Sequence, residues 1–312
     1  MATGYDYQDG AEASLLDFFR QKPSPSTAEI ATFTLQHQDN WPLQYHLDLR
    51  RQALLDWFPF PSQKTLLEVG AGCGALTGFF LDQKLKVTAL EPSPARAQVL
   101  AARFPDSSSH LAIHQKSLQD FTINHSDSRF DFLTLTGVLE YLPDPTLALS
   151  QAASLLKPSG LLILAIENRL GLKYWLGAPE DHTDLAYAGL ENYPQHPETQ
   201  TFSRSALITL LEQVGLAHQQ FFYPFPDYKL PQFVLSHQAL AQNLARPDGG
   251  GVPLLSQLLT TGLNPDQIHL TFHPESAAAD LALSSSLPEF APSFLVFASQ
   301  KPISTSIFSS QK

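Results

Sequence analysis

The stretch LLEVGAGCG, residues 66–74, constrains this chain more than any other. An apolar strand ends at Val69, the backbone turns on Gly70, Gly72 and Gly74, and residues 75–81 continue with Leu76, Phe79 and Phe80 at helical spacing. Glycines permit positive φ in such a turn and let a ligand approach the backbone with no Cβ in the way. The helix start behind them offers free N–H groups and the positive end of a dipole. That arrangement suits a carboxylate or a phosphate.

The rest of the chain supplies the sheet that such a turn needs. Short apolar runs at 65–69, 86–90, 111–114, 130–135, 161–166, 219–223 and 293–298 alternate with helical stretches, the pattern of a parallel α/β sheet with helices on both faces. Ser93-Pro94 reads as an N-cap followed by a proline at the first helical position, opening a helix to Phe104. Helices are also expected at 147–156, stopped by Lys157-Pro158-Ser159-Gly160, and at 204–215. Residues 42–58 carry apolar positions at helical spacing, so residues 1–60 read as an N-terminal helical extension and 61–312 as one domain. Two excursions break the alternation, at 168–200 and at 229–290, and are expected to build a cap.

Composition excludes several classes. At 43% hydrophobic and 16% charged residues the chain can bury a large core. Its net charge of −11 argues against a nucleic-acid partner, whose phosphates are bound by lysine and arginine. One cysteine, Cys73, forms no internal disulfide, and with no basic-then-apolar leader in the first 21 residues the expectation is a cytoplasmic protein. No run approaches the roughly 20 apolar residues of a spanning helix, so no membrane insertion is expected. A homodimer stays open.

Two cofactors compete for the glycine turn. Gly70, Gly72 and Ala75 also satisfy the dinucleotide pattern, and Glu91, 19 residues after Gly72, suits a ribose diol in either case. Glu68 breaks the tie. A dinucleotide site wants an apolar residue there, whereas a carboxylate can accept from the cationic amine of S-adenosylmethionine. An NAD(P)-dependent oxidoreductase and a non-catalytic S-adenosylmethionine-binding protein remain the alternatives.

The stretches LLEVGAGCG (66–74), VTALEPSPAR (87–96), FDFLTLTGVLEYLPDP (130–145) and LLKPSGLLILAIEN (155–168) together resemble the class I S-adenosylmethionine-dependent methyltransferases. The resemblance implies a Rossmann-like seven-stranded sheet whose last strand, 293–298, runs antiparallel. A narrower likeness, through WPLQYHLDLRR (41–51), AIENRLGLKYWLGAPEDHT (165–183), GLENYP (189–194), TFSRSAL (201–207), FYPFPDYKLP (222–231) and SSSLPEFAPSFLVF (284–297), is to methyltransferases associated with glycosyltransferases of bacterial surface-polysaccharide clusters. It implies a small-molecule or glycan acceptor and O-methylation.

Site residues follow from the fold and the resemblance. The cofactor set is Arg51, Glu68, Gly70, Gly72, Gly74, Glu91, Ser117, Leu118 and Gly137. Arg51 would grip the methionine carboxylate, against the alternative of an ordinary surface arginine. Ser117 and Leu118 stand where the family places its adenine contacts, with Asp120 the nearby acid. Glu140 and Tyr141 follow the fourth strand, where open sheets collect ligands. His182 is the expected general base, with Glu180, Asp181 and Glu191 as rivals; the catalytic set is His182, Glu191 and Tyr141. Cys73 reads as a small filler, and no spacing of Cys, His or carboxylates suggests a metal.

Overall fold

The computed structural model describes residues 8–196, 200–244, 272–304 and 307–308. Much of the second excursion, 245–271, lies outside the described residues. The chain forms two compact units: Met1–Leu135 with Gln151–Leu162 and Ser304–Lys312, and Thr136–Ser150 with Ile163–Ile303.

The first unit begins with helices α1 (Glu12–Gln21), α2 (Thr27–Gln36) and α3 (Trp41–Leu47), then a 3-10 turn at Leu49–Leu54. It continues through β1 (Thr65–Val69), α4 (Thr77–Asp82), β2 (Lys86–Leu90), α5 (Pro94–Arg103), β3 (Leu111–His114), α6 (Leu118–Asn124) and β4 (Phe130–Thr136). After α7 (Pro145–Ser154), strand β5 (Leu156–Glu167) supplies its first residues to this unit and its last to the other. The strand order here is β3-β2-β1-β4-β5. β1 pairs in parallel with β2 and β4, and β2 with β3. Leu66, Leu67, Val87, Ala89, Leu90, Leu133 and Leu135 are buried, as strands covered on both faces require. Asp131 ties β4 to β1 by accepting from Thr65 N at 3.0 Å and Thr65 Oγ1 at 2.9 Å, while Lys157 reaches it at 2.7 Å.

The second unit takes the end of β5 and adds α8 (Leu172–Trp175), α9 (Arg204–Gln213), β6 (His218–Phe225), β7 (Phe233–Ser236) and β8 (Ser293–Ser299). The order is β5-β8-β6-β7, with β6 antiparallel to both neighbours. Thus the described residues hold eight strands, not seven. The extra one, β7, is four residues at the sheet's edge and carries no alternation long enough to be seen beforehand.

The N-terminal extension gains detail, and two other expectations shift. Within residues 8–40 lie the helices α1 and α2; Leu15, Phe18 and Phe19 at helical spacing pack with Leu43, Leu47, Cys73 and Val99, and Ser26 with Glu29 makes a capping box. The 42–58 helix is shorter, ending at Leu47 before the 3-10 turn. Residues 157–160, read as a helix stop, already belong to β5. Gly160 is needed there for close approach, since a Cβ would stand 2.8 Å from the Phe130 carbonyl oxygen. Among the described residues no helix is long and apolar enough to cross a membrane.

Candidate active site

In the first unit the glycine turn adopts the strained form its residues allow. Gly70, Gly72 and Gly74 have φ of +69°, +57° and +80°. The latter two differ in purpose. A Cβ on Gly74 would stand 2.7 Å from Leu100 Cδ1 and from Phe104 Cε2, so that glycine serves packing. A Cβ on Gly72 would meet nothing within 4 Å, so that glycine faces open space.

Glu91 closes the turn from the end of β2. Its Oε2 accepts from Gly72 N and its Oε1 from Ser93 N, both at 2.8 Å. Burial pushes its carboxyl up, against these two bonds. A carboxylate has about four acceptor positions, so lone pairs remain for a diol. Glu68 is buried on β1 and accepts from Thr77 Oγ1 at 2.6 Å. Burial raises its carboxyl to about 7, although Thr77, Arg51 and Arg103 pull the other way.

Arg51 is buried too, its guanidinium 3.8 Å above the Tyr45 ring, with no hydrogen bond from that group among the described residues. Arg103 instead spends Nη1 on the carbonyls of Cys73 at 2.9 Å and His46 at 3.2 Å. Ser117 caps α6: its Oγ accepts from Asp120 N at 3.1 Å and donates to Asp120 Oδ2 at 2.8 Å, and Leu118 is buried beside it. Cys73 is buried, its thiol pushed up to about 12 by burial, which leaves it unreactive. These donors and acceptors fit S-adenosylmethionine: a carboxylate for its ammonium, a cation for its carboxylate, a second carboxylate for its ribose and an uncrowded glycine.

A pH dependence follows. With Glu68 near 7 when free, an ammonium placed opposite it on binding would favour its charged form. Affinity for S-adenosylmethionine is therefore expected to fall about ten-fold per pH unit below 7 and to level off above it. Titration calorimetry from pH 5.5 to 8 reads this directly, and Glu68→Gln should flatten the slope. A slope retained in that variant assigns the proton to another group.

The second unit holds a buried cluster around His182. Glu180 fixes the imidazole: its Oε1 lies 2.8 Å from His182 Nδ1, and its Oε2 accepts from His182 N and Thr183 N at 2.9 Å. Tyr193 donates to the same carboxylate at 3.1 Å. The other ring nitrogen, Nε2, faces Glu140 Oε1 at 3.8 Å and Glu167 Oε2 at 4.0 Å, too far for hydrogen bonds. The Tyr141 ring stands edge-on to His182 at 5.2 Å. Lys229 Nζ meets Glu167 Oε1 at 2.5 Å, and Lys173 and Tyr174 hold Asp181 at 2.6 Å.

Burial alone would lower the His182 pKa, but Glu140, Glu180 and Glu167 outweigh it and raise it to about 10. Burial raises Glu140 in turn. The three carboxylates thus stabilise positive charge at this ring. Gly137, expected against the cofactor, has φ +67° and packs so closely that a Cβ would stand 2.6 Å from the Tyr228 hydroxyl.

The structure thus brings His182, Tyr141, Glu140 and Glu180 together. It does not bring Glu191 to them: that side chain is exposed. Sequence reasoning passed over Glu167 and Lys229. Glu167 ends β5, beyond whose carboxyl end ligands collect, and that position was the available signal.

A family described as a methyltransferase domain matches residues 35–220, more than half of the chain. The ubiquinone biosynthesis O-methyltransferase of Pasteurella multocida is 32% identical over 120 residues, covering 36% of this chain and 49% of that protein. Its counterpart from Xanthomonas axonopodis pv. citri is 33% identical over 109 residues, 35% of this chain and 45% of that protein. The matches thus span about half the length of these curated relatives. Among solved structures, a SAM-dependent methyltransferase from Archaeoglobus fulgidus gives a TM-score of 0.50 at 12% identity, covering 85% of this chain and 99% of the other, a likeness of fold.

Proposed function

We propose that this chain, which belongs to the methyltransferase-domain family, transfers the methyl group of S-adenosylmethionine to a hydroxyl oxygen of a small-molecule or sugar-type acceptor. The oxygen's lone pair attacks the methyl carbon, the carbon–sulfur bond breaks with its electrons to sulfur, and S-adenosylhomocysteine leaves. The hydroxyl proton goes to the protein or to water. The protein's main contribution is alignment, which can lower the barrier by about 7–11 kcal/mol.

The observation that carries this reading is the Glu91 carboxylate clasped by Gly72 N and Ser93 N beside an open glycine. Glu68 on β1 favours an ammonium-bearing cofactor over a dinucleotide. The buried charges around His182 supply groups able to activate a hydroxyl, and the relatives named as O-methyltransferases support oxygen as the atom methylated. The sugar-type acceptor, and a place in polysaccharide biosynthesis, rest on the likeness of residues 165–183, 201–207 and 222–231.

Calorimetry is expected to give S-adenosylhomocysteine binding and no heat with NAD. Glu91→Gln, which keeps shape but exchanges an acceptor for a donor, should weaken binding about ten-fold or more, since bonds to a charged group are worth about 1.5–3 kcal/mol. Incubation with S-adenosylmethionine and a cell extract should yield a product heavier by one methylene, seen by mass spectrometry. Tight NAD binding without S-adenosylhomocysteine binding overturns the proposal, and cofactor binding with no product from any fraction leaves a non-catalytic binder.

A further inference from the structure

We propose that Glu140, Glu167 and His182 bind one divalent transition-metal ion of the Mn2+ or Zn2+ kind. One oxygen from each carboxylate and one imidazole nitrogen lie within 4.8 Å of one another. An ordinary ion pair here would look like the contact on the other side of the same ring, where Nδ1 meets Glu180 at 2.8 Å. Nε2 instead stops 3.8 Å and 4.0 Å from its two carboxylates. Two ligand atoms can span a shared ion only up to twice a metal–ligand bond of about 2.0–2.2 Å. The gaps to Nε2 reach about that limit and the whole set lies within 4.8 Å, so a contraction of the cluster brings these side chains to ligand positions.

Two further observations point to a ligand. Glu140 Oε2 and Glu167 Oε2 are buried with no hydrogen-bond partner, and both side chains are 1% exposed or less. A buried carboxylate oxygen without a partner is costly unless something else meets it. The histidine, moreover, is held as metal-binding histidines are held. Glu180 takes its Nδ1 side and is itself anchored by two backbone N–H groups and Tyr193, so Nε2 is aimed at the other carboxylates.

Two carboxylates and an imidazole suit a first-row ion that accepts nitrogen as well as oxygen. Three protein ligands leave positions open, as in catalytic sites rather than structural ones. In such a position the ion would hold an acceptor oxygen and make its hydroxyl more acidic. That role rests on the methyl-transfer reading above; ion binding does not. No spacing in the sequence announces the set, because its members follow β4, end β5 and sit within the first excursion.

The full chain, stripped with EDTA, is titrated with Mn2+ while the free ion is followed by electron paramagnetic resonance. One Mn2+ per chain is expected, displaced by Zn2+. Glu167→Gln and His182→Gln should each weaken binding at least ten-fold, and Glu180→Gln, which touches no ion, about ten- to a hundred-fold. Circular dichroism and S-adenosylhomocysteine binding show whether each variant is folded. No Mn2+ bound by the native chain at millimolar ion, or binding undiminished in a folded Glu167→Gln/His182→Gln variant, overturns the site. Methyl transfer undiminished in EDTA overturns its role in the reaction. Mn2+ binding with no methyl transfer to any acceptor leaves the site standing and removes the methyl-transfer reading instead.

Discussion

His182→Ala is expected to form S-adenosylhomocysteine about a hundred-fold or more slowly than the native chain, the scale of a lost acid–base or hydroxyl-activating group, while its affinity for the cofactor stays the same. Cofactor affinity should hold because the groups assigned to binding, Glu68, Glu91, Arg51 and Gly72, belong to the first unit, and His182 belongs to the second. Turnover should fall because the imidazole stands among Glu140, Glu167 and Glu180, the buried groups proposed to activate the acceptor hydroxyl. Removing one partner of a buried charge set typically costs about 3–5 kcal/mol of stability, so the alanine variant needs a companion. His182→Gln keeps a hydrogen-bonding side chain and should fold better. If the glutamine variant is folded and still slow, the loss is chemical. Should both variants release S-adenosylhomocysteine at the native rate, His182 has no part in the reaction, and Glu140→Gln becomes the next test.

The glycine turn was far more legible than the cluster around His182, for a physical reason. Glu68, Gly70, Gly72, Gly74 and Glu91 lie at the ends of two neighbouring strands, and their spacing follows from the geometry of one β-turn-α-β unit. Local rules therefore reach them. Three of those glycines do take positive φ, and Glu91 does bond the turn. The second cluster is assembled from residues 140, 167, 180, 182 and 229, and no local period links them. His182 could be singled out only by position, and nothing in its neighbourhood along the chain revealed that Glu140 and Glu167 face its Nε2. Glu191, nine residues further on, was as good a candidate by sequence and proves exposed. Ser117, expected beside the adenine, spends its hydroxyl on capping α6. In the N-terminal extension a polar composition leaves Leu15, Phe18 and Phe19 as an apolar stripe that is narrow but buried.

The second large effect belongs to the glycine turn. Gly72→Val is expected to lower S-adenosylhomocysteine affinity by about two powers of ten or more, because a branched side chain would occupy space that only a ligand should fill. Two effects are mixed in that variant. At φ +57° a valine is strained, a cost of roughly 1–2 kcal/mol, and its methyl groups enter a region where a Cβ alone meets nothing within 4 Å. Gly215 separates them. It has φ +81° just past the end of α9, and a Cβ there also meets nothing within 4 Å. Gly215→Val should therefore lower the melting temperature by a similar amount and leave cofactor affinity as it was. Gly74→Ala adds a contrast of another kind, since its Cβ would collide with Leu100 and Phe104 at 2.7 Å. It should destabilise the fold mainly through packing, with any loss of binding tracking the loss of folded protein. If Gly72→Val and Gly215→Val bind S-adenosylhomocysteine equally well, the open face of Gly72 is not where the cofactor lies.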